Sequence, residues 1–139
     1  MLAKLVLGVS ALVFIAYGVL CLADPALPVS LAGLAIVNGD GYAEASAMYG
    51  GLQTGIGLFC LLATLRPSHM RSGLTLLMMA IGALALARLY AILTSEMAVT
   101  LYSWGALCYE TLTAALSAIA LQRIPSLSAG PLPAPKKPA

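Results

Sequence analysis

The chain has 139 residues, 61% of them hydrophobic and 9% charged, with a mean hydropathy of +0.98 and a net charge of +2. No water-soluble domain of this length needs so much apolar surface, so the composition indicates a multi-span membrane protein built as one domain. The small net charge and the lack of a basic stripe exclude nucleic acid as a partner.

The first apolar run is Leu5 to Leu22, preceded by Lys4. It resembles a signal peptide with a cleavage site after Ala23, but its length favours a retained span. Ser10, Phe14, Tyr17 and Cys21 share one face, expected to point at other helices. Asp24-Pro25 and Pro28 are expected to break the helix. Leu31 to Val37 is apolar but too short to span, so a short interfacial or re-entrant segment is expected between the first and second membrane helices. Asn38-Gly39-Asp40-Gly41 is a turn cluster that resets the chain.

The second span runs from about Tyr42 to Leu65 and carries Gly50, Gly51, Gly55 and Gly57. Gly51-x-x-x-Gly55 is a close-approach motif, and all four glycines are expected to pack against helices. Tyr49 and Gln53 lie on the Gly50–Gly57 face, while Glu44 sits near the membrane boundary. Small or polar residues on two sides predict a central position in the bundle. A short connection, Arg66 to Arg71, leads to the third span, about Ser72 to Ser95. There Ala80, Ala83, Ala87 and Ala91 form a strip of small residues beside Arg88.

The fourth span, Leu101 to Leu121, has Glu110 at its centre. At 100° per residue, Ser103, Ala106, Glu110, Thr113, Ala114 and Ser117 form one stripe, and Leu101, Cys108, Leu112, Leu116 and Ile119 lie opposite. Lipid accepts the leucine side, so Glu110 is expected to face the bundle. An ionised side chain at mid-bilayer costs about 2.5–3.5 kcal/mol on insertion scales, so this carboxylate needs a cationic partner or a proton. Arg88 is the only other ionisable residue well inside a span, and the short third-to-fourth connection makes a pair between them feasible.

The expected fold is therefore all-α: an integral membrane four-helix bundle over residues 1–124, followed by a flexible Pro-rich cytoplasmic tail, 125–139. Lys4, Arg66, Arg71, Arg123, Lys136 and Lys137 fall on one side of this arrangement, and Asp24, Asp40 and Glu96 on the other. The positive-inside rule then predicts a bacterial inner (plasma) membrane protein with both termini in the cytoplasm.

At Ala47-Met48-Tyr49-Gly50-Gly51, followed by Gly55 and Gly57-Leu58-Phe59, the chain resembles a bacterial family of small four-span membrane proteins known as a domain of unknown function, DUF family 4345. Arg71-x-Gly73-Leu74, Ala87-Arg88-Leu89 and Glu110 add to the resemblance, which covers roughly Gly18 to Gln122. A basic residue often stands three positions before the Tyr-Gly-Gly in that family, where this chain has Ser46. The layout is also remotely similar to the four-helix DoxX-like membrane proteins. The resemblance implies fold and location and no known activity.

Tyr49, Gln53, Arg88 and Glu110, with Glu44 as an outer member, form the candidate intramembrane polar site. It admits three uses. The charge pair can fix helix packing, in a structural protein or an accessory subunit of a larger membrane complex or homo-oligomer. It can hold the polar head of a lipid- or quinone-like ligand in an apolar pocket. Or Glu110 can cycle its charge in a proton-coupled small-molecule exporter. No enzyme activity, cofactor or metal is expected: there is no His/Cys cluster, no nucleophile with a base at suitable spacing and no phosphate-binding glycine loop. Cys21, Cys60 and Cys108 are odd in number, lack any CxxC, and are read as packing residues.

Overall fold

The computed structural model describes residues 1–124, and the predicted tail, 125–139, lies outside them. The described residues form five helices and no strand. Helices α1 (Leu2–Ala23), α3 (Gly39–Leu65), α4 (Pro67–Thr94) and α5 (Leu101–Gln122) are each long and apolar enough to cross a membrane. A short helix, α2 (Ala26–Ala32), joins the first pair. The expected four-helix membrane bundle is what the chain forms, with span ends a few residues from those anticipated.

The short segment differs in detail. Its helix is Ala26–Ala32, and the chain from Leu34 to Val37 is not helical. Pro28 does not break α2, because in the first turn its missing N–H is not needed by the helix. The Asp24 carboxylate accepts from Ala26 N (3.0 Å) and starts the helix. Gly33 ends it at φ 71°, the left-handed conformation that glycine adopts without a steric cost. Asn38 then caps α3, its Oδ1 accepting from Gly41 N (2.9 Å).

Alternating helix direction gathers like charges. Lys4, Arg66, Arg71 and Arg123 stand at one end of the bundle, and Asp24, Asp40, Glu44 and Glu96 at the other. At the basic end Arg71 Nη1 donates to Ile124 O (2.8 Å), tying the start of α4 to the end of α5.

The packed core lies in this basic half. Val6, Leu7, Ala11 and Phe14 of α1 meet Cys60 and Ala63 of α3, Leu74, Leu77 and Ile81 of α4, and Ala120 of α5. In lipid such packing is driven by close van der Waals contact rather than by removal from water. Glycines permit the closest approaches. A Cβ on Gly73 would lie 2.6 Å from Ala63 Cβ, and one on Gly57 would lie 2.7 Å from Ile15 N. Further along, a Cβ on Gly18 would lie 2.6 Å from Thr54 N, and one on Gly50 would lie 2.6 Å from Leu22 Cδ2.

Two expectations about α3 are corrected here. A Cβ on Gly55 would meet nothing within 4 Å, and one on Gly51 only the Ser46 carbonyl of its own helix at 4.0 Å. Gly50 and Gly57, seven residues apart, return to one face and pack on α1, Gly50 against Gly18 and Leu22 and Gly57 against Ile15 and Ala11, while Gly51 and Gly55 point elsewhere. The central helix is α1, which touches α3, α4 and α5; α3 packs closely on α1 and meets α4 only where the two are linked.

Beyond that link α3 and α4 diverge towards the acidic end. Each contains a π-helical turn, Ser46–Gly51 in α3 and Leu77–Ile81 in α4. Such turns insert a residue and are frequent at functional sites. Neither is visible in the hydrophobic periodicity.

Candidate functional site

On α5 the buried residues are Glu110, Thr113, Ser117 and Ala120. Leu101, Leu112, Leu116 and Ile119 are exposed on the opposite side. The small and hydroxyl stripe therefore carries Glu110 into the bundle. Arg88 stands six residues before the end of α4 and Glu110 nine after the start of α5. At 1.5 Å per residue these are depths of about 9 and 14 Å from the acidic end.

The two side chains span the difference. Arg88 Nη2 donates to Glu110 Oε1 (2.7 Å), and Nε donates to Oε2 (2.9 Å) and Oε1 (3.1 Å). This two-pronged fork is the strongest arrangement available to a guanidinium and a carboxylate. The Glu110 side chain is 6% exposed and that of Arg88 26%. Both Nη1 hydrogens and the second on Nη2 have no protein acceptor among the described residues. The guanidinium is thus only partly used.

Arg88 and Glu110 line a cavity of about 240 Å³ together with Tyr17, Tyr49, Gln53 and Tyr102. Phe14 and Tyr109 also line it, stacked edge to face with ring centroids 6.3 Å apart. Tyr17 Oη and Gln53 Oε1 are buried and have no partner among the described residues. Buried polar atoms are nearly always satisfied, so two orphans on one cavity wall leave room for a polar guest.

A larger cavity of about 570 Å³ lies beside the first, between the diverging parts of α3 and α4. Leu34, Ala35 and Ile36 line it from the connecting segment, and both π-helical turns contribute, through Met48 and Tyr49 and through Ala80 and Ile81. Its wall is mostly apolar. Tyr49, Gln53 and Leu84 line both cavities and form the boundary between them. Met48, Leu52 and Leu84 are 46%, 49% and 40% exposed, so the larger cavity opens sideways towards lipid.

A third hollow, about 430 Å³, lies at the turn between α4 and α5 and is lined by Arg88, Leu84, Ser95, Thr100 and Ser103. Ala87 and Ala91 face it, and Ala80 faces the large cavity. The alanine strip beside Arg88 therefore opens space instead of receiving a helix.

Of the five candidate site residues, the structure brings Arg88, Glu110, Tyr49 and Gln53 around one cavity. Glu44 is separate: it is exposed and lines the large cavity. Sequence reasoning passed over Tyr17 and Leu84. The signal for Tyr17 was its place on the bundle face of α1; a leucine among leucines gave none.

Among the described residues no three His, Cys, Asp or Glu side chains gather in a metal-binding arrangement. Cys21 and Cys60 are buried, and Cys108 is exposed on the lipid side.

Residues 2–121 match the family model described as "Domain of unknown function (DUF4345)". The chain belongs to this family. The DUF4345 match takes in α1 almost whole, beyond the Gly18 at which the sequence resemblance began. It therefore includes every residue that lines the polar cavity. No curated protein and no solved structure matches the chain.

Proposed function

We propose that this protein is a multi-pass protein of the bacterial inner membrane that binds a small amphipathic ligand, with its head at Arg88 and its apolar body between α3 and α4. The carrying observation is the partly used Arg88 guanidinium in a polar cavity that adjoins an apolar one open to lipid. Pockets that hold small ligands have this make-up: mostly apolar walls with a few fixed polar groups. The volume of about 570 Å³ falls within their usual range. The basic end, with Lys4, Arg66, Arg71 and Arg123, is assigned to the cytoplasm by the positive-inside rule, which places both ends of the chain there.

A purely structural lock between α4 and α5 needs neither cavity nor the orphaned oxygens of Tyr17 and Gln53. Proton-coupled export is less favoured, because Glu110 is 6% exposed and accepts three hydrogen bonds from one arginine.

The test is native mass spectrometry of protein released gently from membranes. A discrete small molecule at fixed stoichiometry is expected on the natural chain and absent from Leu84→Trp, which puts a bulky ring where all three hollows meet. A clean natural chain, or one carrying only another protein, defeats the binding reading and leaves the accessory role.

A further inference from the structure

The charges around the cavities specify more than an amphipath. We infer that the ligand's head is uncharged, compact and rich in hydrogen-bond acceptors, as in a membrane quinone, and that fatty acids, phospholipids and cationic amphiphiles are refused. This inference rests on the ligand-binding reading of the same site.

The Arg88–Glu110 fork is neutral as a unit. What it offers a guest is chiefly N–H donors, because Glu110 is buried and its carboxylate already accepts three hydrogen bonds from Arg88. A cationic head brings its own donors and positive charge against that guanidinium and finds no free carboxylate beside it. An anionic head finds the donors but lacks a free counter-charge. One negative charge added to a neutral pair is left unbalanced in a site with little water, where the field is weakly screened.

The surroundings make this worse for an anion. The acidic end of the bundle carries Asp24, Asp40, Glu44 and Glu96, and Glu44 lines the large cavity itself. Among the described residues the remaining cations, Lys4, Arg66, Arg71 and Arg123, stand at the opposite end. Among the described residues nothing else near the cavities therefore compensates a phosphate or carboxylate.

A neutral carbonyl or ether oxygen meets the donors without adding charge. The Gln53 amide and the Tyr17 hydroxyl both accept and donate, so they serve a carbonyl or a hydroxyl on the same head. The head compartment of about 240 Å³ suits one ring and excludes a bulky headgroup. Tyr49, Gln53 and Leu84 line both cavities, so a tail leaving the head compartment passes these side chains to reach the apolar compartment open to lipid.

The experiment compares decylubiquinone, decanoate and decyltrimethylammonium, which share a tail and differ in head. Binding to the natural chain in lipid nanodiscs is read, for all three probes alike, by displacement of a bound spin-labelled decylubiquinone analogue, at equal probe-to-lipid ratios. Decylubiquinone is expected to bind at least tenfold tighter than either charged probe. Glu110→Gln, which leaves the Arg88 charge without its partner, is expected to raise decanoate binding at least tenfold. Gln53→Leu, which removes a hydrogen-bonding group and spares the ion pair, is expected to weaken decylubiquinone and leave the charged probes alone. Preference of the natural chain for decanoate or decyltrimethylammonium overturns the inference while ligand binding stands. Failure of all three probes to bind the natural chain overturns both. Should Glu110→Gln not fold, the ranking on the natural chain and the Gln53→Leu result decide.

Discussion

Removing the partners of the Arg88–Glu110 fork singly and together tests whether it holds α4 to α5. Arg88→Met strands a carboxylate that is 6% exposed, whereas Glu110→Leu strands a guanidinium that is 26% exposed. Breaking a buried pair from one side costs about 3–5 kcal/mol. The deeper orphan, Glu110, belongs at the upper end of that range. The shallower Arg88 belongs at the lower end, since its long chain extends towards the acidic boundary about 9 Å away. In the double variant no charge is left without a partner and the two apolar side chains pack in the same space. Its cost is expected to fall short of the sum by about 2–3 kcal/mol. Equilibrium unfolding in mixed micelles, followed by helical circular dichroism and Trp104 fluorescence, measures all three. Additivity within about 0.5 kcal/mol would show that the two residues act independently, and would refute the pairing as a source of stability.

The glycine contacts give a contrast within one helix. Gly57→Ala drives a methyl into the Ile15 backbone at 2.7 Å and is expected to destabilise by about 1–3 kcal/mol in the same unfolding assay. Gly55→Ala meets open space, so it should be neutral or stabilise by up to about 1 kcal/mol through helix propensity. Equal losses at both positions would contradict the α1–α3 packing described. Thiol accessibility offers a third check. A membrane-permeant maleimide should modify Cys108 in the folded protein and spare Cys21 and Cys60, both 0% exposed, until denaturant is added; intact mass reads the number of adducts.

Much of the fold was legible because a bilayer imposes strong rules. A span must be long and apolar, so the four membrane helices could be bounded to within a few residues. The stripe of α5 was readable for the same reason: with lipid on one side and helices on the other, Glu110, Thr113 and Ser117 had only one way to face. Arg88 and Glu110 stood out as the two charged residues well inside spans, and their depths left contact feasible. What periodicity cannot show is which of two small-residue faces a neighbour selects. Gly51-x-x-x-Gly55 had the familiar spacing, yet α1 brings Gly18 against Thr54 and Gly50 instead. The π-helical turns and the space between α3 and α4 were also hidden. Both arise from how helices splay in three dimensions, and an alanine facing a hollow reads the same as one facing a helix.

The uneven packing along the bundle axis has a consequence for its motion. The main interlocked cluster, with residues from all four membrane helices, lies at the basic end, while the hollows that meet at Leu84 lie towards the acidic end. Local opening is cheapest where packing is sparse. Rigidity therefore falls from one leaflet to the other within a single small bundle. α3 and α4 touch near the Pro67–His69 bend and diverge beyond it, so the cost of parting them further falls towards the acidic end. A guest sliding in from the acyl chains displaces lipid at the compliant end, and the interlocked end keeps the bundle together while it does so.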